Sequence, residues 1–138
     1  MNWLGYAVLG TLSLSAMFLT IKKLGTIEVK TSIILVYLFT VASILFIVYN
    51  LINKNNFIIT ENKTFALLIL VGIFSFLGNL FLTKSMLLAK NPGYTNAISS
   101  ANVVLVTTFA YFLFKSEITI TKLIGIIITL TGVIIVAL

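Results

Sequence analysis

Five apolar runs, each close to the length a helix needs to cross a lipid bilayer, make up most of this chain. A hydrocarbon core about 30 Å thick takes roughly 20 helical residues at about 1.5 Å each. The runs extend from Trp3 to Ile21, Thr31 to Ile52, Phe65 to Leu88, Gly93 to Phe114 and Ile118 to Leu138, with edges placed to about three residues. The gaps between them hold the polar residues. The first gap carries Lys22, Lys23, Glu28 and Lys30, and the second carries Asn53, Lys54, Asn55, Asn56, Glu61 and Lys63. The third is Lys90, Asn91 and Pro92, and the fourth is Lys115, Ser116 and Glu117. This pattern predicts an all-α polytopic membrane protein with five transmembrane helices.

Composition removes the alternatives. Of 138 residues 60% are hydrophobic and 9% charged, against about 25% charged in a soluble domain. All 9 basic residues are lysines, and with 3 glutamates they give a net charge of +6. Because those charges fall in short gaps between apolar runs, they read as membrane topology, and no nucleic-acid partner is expected. The chain has no cysteine and no histidine, so thiol chemistry and the usual nitrogen or sulfur metal sites are excluded. With carboxylates only in gaps, no nucleophile, base and orienting acid can be assembled. We therefore expect no enzyme, no catalytic residue, no cofactor and no metal.

The single proline helps to place a turn. Asn91 can cap a helix that begins with Pro92, where the missing N–H costs nothing, and a sharp turn there would make the third and fourth helices an antiparallel hairpin. The first run lacks a basic start and is followed by its lysines, so it reads as a retained span and not as a cleaved signal. No internal repeat or linker divides residues 1–138, which read as one transmembrane domain. The end at Leu138, without a polar tail, also fits a piece of a longer protein.

Five spans put the termini on opposite sides, so lysines can be counted by face. Lys54, Lys63, Lys115 and Lys122 lie on the N-terminal face; Lys22, Lys23, Lys30 and Lys90 lie on the other, with Lys84 near that boundary. The balance gives little basis for one orientation and is what dual insertion would show.

Polar residues inside a span must find partners or water. Ser75, Asn79 and Thr83 recur at intervals of four along the third span, and Thr95, Asn96, Ser99 and Asn102 make a second stripe on the fourth. Two readings follow from this pattern. The stripes can line a wet cavity, which makes Ser75, Asn79, Thr83, Asn96, Ser99 and Asn102 the substrate candidates. They can equally bond across helices and hold the bundle together. Thr11 and Ser15 are weaker candidates, because a hydroxyl can satisfy itself on its own helix. Lys84 can snorkel to the headgroups or offer a cation to an anionic substrate. Gly72, Gly78, Gly125 and Gly132 read as close-packing positions, and Trp3, Tyr6, Tyr49, Tyr94 and Tyr111 as interfacial aromatics.

Lys84-Ser85-Met86, then Pro92 to Ser100, then Glu117, Gly125 and Gly132-Val133 stand in the order and spacing of the EamA-type domain of the drug/metabolite transporter superfamily. The chain resembles that domain over essentially its whole length, with Ile21-Lys22-Lys23 agreeing loosely. The resemblance implies half of a transporter, since the usual member carries two such domains in inverted orientation around the substrate path. Ala101-Asn102 stands where the family commonly has a small residue followed by proline, so a kink does not carry over. Glu117 is expected to cap or anchor the start of the last helix.

The function expected is a half-size membrane carrier of a small-molecule metabolite, paired with an inverted copy as an antiparallel homodimer or with a separate five-helix half. The alternatives are a small multidrug-type exporter or lipid-linked-sugar flippase subunit, and a non-transporting membrane assembly partner. The first alternative would have about one helix fewer and, in proton-coupled members, a glutamate in helix one, which this chain lacks. Its surroundings are the lipid bilayer in every case, as a multi-pass protein of the cell membrane if the source is prokaryotic.

Overall fold

A computed structural model describes residues 2–55, 58, 59 and 61–137; Asn56 and Leu138, assigned above to a gap and to a span, lie outside them. The described residues form helices joined by short connections: α1 (Trp3–Thr26), α2 (Thr31–Ile52), α3 (Asn62–Leu88), α4 (Pro92–Ser99), α5 (Asn102–Phe114) and α6 (Ile120–Ala137). Taking α4 and α5 as one span, 5 segments are long and apolar enough to cross a membrane. The all-α polytopic expectation holds.

The chain divides into two compact units, Met1–Leu87 and Leu88–Leu138. In the first, the buried apolar residues are Ile21 near the end of α1, Ile34 and Leu35 near the start of α2, and Met86 near the end of α3. They stand at helix ends that neighbour the α1–α2 connection or the close of α3. Two contacts tie α1 to the end of α3. Lys22 Nζ donates to the Leu87 carbonyl at 3.1 Å, supplying one of the donors that the free carbonyls of a last helical turn need. A Cβ on Gly25 would stand 2.5 Å from Leu87 Cδ2, so the missing side chain gives Leu87 its room. In the second unit α4 lies against α6, and Thr95 is its buried polar residue.

Two boundaries differ from the sequence reading by more than its margin or in kind. Helix α1 continues through Lys22 and Lys23 to Thr26, because lysine is a good helix former and its charge favours a helix C-terminus. It closes when Val29 N–H reaches back to Leu24 O at 3.1 Å with Glu28 at φ 60, a left-handed position usually given to glycine. Helix α2 ends the same way, with Asn55 N–H on Asn50 O at 3.0 Å and Lys54 at φ 54. The second difference is the break between α4 and α5.

The expected cap at Asn91 is present: its Oδ1 accepts from Gly93 N–H at 2.8 Å with Pro92 in the first turn. Glu117 does not cap α6. That helix starts at Ile120, and Thr119 holds its first turn, with Oγ1 accepting from Lys122 N–H at 3.4 Å. Threonine is the better cap by geometry, because its short side chain reaches the free amides that a glutamate three residues before the helix does not.

Candidate functional site

The two polar stripes belong to different units and have different local structures. On α3, Asn79 Nδ2 donates to Ser75 O at 2.9 Å and approaches Ser75 Oγ at 3.4 Å. Both residues are half-buried. The amide therefore spends its donor on its own helix, one turn back. Thr83, the third member of the stripe, is buried, with 2% of its surface exposed, so it does not extend an open polar lane. Lys84 is exposed and four residues from the end of α3, where a four-carbon stem reaches the headgroup level.

The fourth span is interrupted at Ser100 and Ala101. The cause is local chemistry at one carbonyl. Asn96 O accepts the Ser100 N–H at 3.0 Å, the Ser99 hydroxyl at 2.9 Å and the Ser100 hydroxyl at 2.9 Å. One oxygen facing three donors weakens the regular bond, and hydroxyls returned to the backbone bend helices. The next amides shift to partners three residues back: Ala101 N–H to Ile98 O, Val103 N–H to Ser100 O and Val104 N–H to Ala101 O, each at 3.1 Å. This is 3₁₀ geometry, which in mid-helix marks hinges and sites of strain. No proline stands at this point of the span; the break coincides with the serine pair instead. Asn96 and Asn102 flank it, both exposed, and their side-chain amides have no hydrogen-bond partner among the described residues. Ser99 is half-buried.

Thr11 and Ser15 are exposed and return their hydroxyls to Ala7 O at 2.9 Å and Thr11 O at 2.8 Å. The four glycines read as close-packing positions meet nothing within the chain: a Cβ on Gly72, Gly78, Gly125 or Gly132 would have no described neighbour within 4 Å. Close approach occurs at Gly25, which the spacing argument missed because it lies past the predicted end of the first span. Ser100 was also missed, although its place beside Ser99 was the available signal.

Five segments long and apolar enough to cross a bilayer define a polytopic membrane protein. The sequence model of the EamA-like transporter family matches residues 1–138, and the chain belongs to that family. It is thus an integral multi-pass membrane protein and a transporter of the drug/metabolite superfamily. No curated protein and no solved structure matches the chain.

Proposed function

We propose that the chain is one half of a carrier for small metabolites, and that it works as an antiparallel pair of identical copies around a polar path. The observation that carries this reading is the broken fourth span, where Asn96 and Asn102 present uncommitted amides on either side of a 3₁₀ segment. In lipid such amides are expensive, and irregular backbone at membrane depth is tolerated where it is buried in protein or lines a wet cavity. A second copy supplies both the cover and the other wall of the cavity. The four unfilled glycine positions support this, since small residues let helices of two copies approach closely. The near-equal distribution of lysines supports the antiparallel arrangement, because it lets the same chain insert both ways. Rocking of one copy against the other, with the fourth span flexing at Ser100 and Ala101, gives alternating access. Ser75, Asn79 and Ser99 are secondary lining candidates in this reading.

The test is orientation. Moving two or three lysines from one face to the other fixes the chain in one direction. Uptake of labelled metabolites into proteoliposomes should then be lost, and restored by adding a copy biased the opposite way. Full uptake by a population of one orientation, shown by impermeant labelling of tags at both ends, rejects the antiparallel pair.

A further inference from the structure

Between α1 and α2 runs an open groove of about 430 Å³, lined by Met17, Ile21, Leu24, Tyr37, Leu38 and Leu45 among others, almost all apolar. On α1 the lining extends from Met17 to Leu24, and on α2 from Ile34 to Leu45. At about 1.5 Å per residue these stretches are roughly 11 Å and 17 Å long. The hydrocarbon half of a bilayer is about 15 Å deep. The groove therefore starts at the connected ends of the two helices and reaches close to mid-membrane, the span of one lipid tail.

The charge at its outer end is predominantly positive. Within the first unit, Lys22, Lys23, Lys30 and Lys84 stand at this end against the single carboxylate of Glu28. Lys22 is engaged with the Leu87 carbonyl, whereas Lys23 and Lys30 are exposed. Lys23 directly precedes Leu24 in the last turns of α1, and Lys30 is the extended N-cap of α2, its carbonyl accepting from Ile34 N–H at 3.1 Å, so both stand at the mouth of the groove next to its outermost lining residues. Lysines at headgroup depth attract anionic lipid.

We infer that the α1–α2 groove is a binding site for an anionic glycerophospholipid, with one acyl chain between Met17, Leu24, Ile34 and Leu45 and the phosphate held by Lys23 and Lys30. A zwitterionic lipid fills the same groove and presents the same phosphate, but its headgroup cation offsets the attraction of the two lysines. A helix of a second copy would match the apolar wall but in either orientation brings further lysines to this end, since each face of the chain carries four of them, whereas an anionic lipid brings the opposite charge.

The chain has 1 tryptophan, Trp3, so a reporter is simple to place. Trp3→Phe with Tyr37→Trp puts a lone indole in the groove at a position that is 69% exposed and so tolerates the larger ring. The protein is reconstituted in phosphatidylcholine vesicles with phosphatidylglycerol, and bromine-labelled acyl chains are carried on one lipid or the other. Quenching by brominated phosphatidylglycerol should outcompete brominated phosphatidylcholine by at least about fivefold, the size of one lysine's attraction to an anionic surface, and by more where both lysines act. Lys23→Gln with Lys30→Gln should bring the two lipids level without removing quenching. A reporter at Phe46, outside the groove, should show no preference at any stage. Equal quenching by both lipids in the unmodified-lysine protein overturns the inference. So does a preference that survives loss of both lysines, or an indole at position 37 that neither lipid quenches because another helix covers it.

Discussion

The third and fourth spans carry similar polar stripes, yet α3 runs unbroken from Asn62 to Leu88 while the fourth splits at Ser100 and Ala101. The difference is how many donors meet one carbonyl. On α3, Asn79 adds a single side-chain bond to Ser75 O, and the ladder absorbs it. On the fourth span, Ser99 and Ser100 both return to Asn96 O, and the amides beyond move to i−3 partners. Polar content alone therefore does not decide where a membrane helix breaks, nor does adjacency of hydroxyls, since α5 runs unbroken through Thr107 and Thr108; what marks the broken span is two hydroxyls on one carbonyl. It also separates the roles of the asparagines. Asn79 is committed to its own helix, whereas Asn102 is exposed and is the residue the proposed carrier would turn to substrate.

That contrast gives the largest expected effect. Asn102→Leu should lower metabolite uptake by about tenfold or more, equivalent to the loss of one buried polar contact of about 1.4 kcal/mol, with insertion and assembly unchanged. Asn79→Leu should cost less, within about threefold. Uptake in proteoliposomes, alongside size-exclusion profiles, separates the cases. If Asn102→Leu fails to assemble, that residue is interhelical glue and the contrast collapses.

A second prediction concerns what each unit relies on. Lys22 donates to Leu87 O from a half-buried position, a charge-assisted bond that we discount for partial exposure to about 1 kcal/mol. Lys22→Met should lower the melting temperature in detergent by several degrees and leave uptake per folded molecule nearly constant. An unchanged melting temperature would remove this bond from the account of the first unit.

Next in size is the serine pair. Ser99→Ala with Ser100→Ala frees Asn96 O for one regular bond, so the fourth span should become more continuous. Hydrogen exchange at Ala101 and Val103 should slow, and uptake should fall about threefold as flexing is lost, a change of about 0.6 kcal/mol. Unchanged exchange would mean that the break does not originate at this carbonyl.

The length of the apolar runs made the five spans legible, since a membrane span is set by thickness more than by any local signal. The Asn91–Pro92 start was legible for a similar reason, because both residues have narrow helical roles. The end of α1 was not. Lys22 and Lys23 look like a polar gap, but they continue the helix to Thr26, and the turn that closes it uses Glu28, a left-handed residue other than glycine. Of the candidate site, the stripes were visible as spacing, but the burial of Thr83 depends on tertiary contacts that spacing does not encode. The break depended on Ser100, which drew no attention without a proline beside it.

The smallest effect is expected at the polar pair on α1, and it tests the same idea from the other side. Thr11 and Ser15 each return a hydroxyl to the carbonyl one turn back, Thr11 to Ala7 O and Ser15 to Thr11 O. Each of those carbonyls therefore meets one side-chain donor, as Ser75 does on α3, and α1 continues unbroken through both. Removing a hydroxyl that is exposed and satisfied locally leaves no buried partner stranded, so the desolvation penalty that makes polar deletions costly does not arise. Thr11→Ala and Ser15→Ala should each change stability by less than about 0.5 kcal/mol and leave uptake within experimental scatter. Placing serine at Ala16 beside the existing Ser15 is the sharper variant, since adjacent hydroxyls then face Thr11 O and Leu12 O as well as their amides. If Ala16→Ser alone slows nothing and breaks nothing, adjacency needs the shared acceptor seen at Asn96. A loss of uptake from Thr11→Ala or Ser15→Ala as large as that from Asn102→Leu would place α1 on the substrate path and remove the distinction between committed and available polar groups.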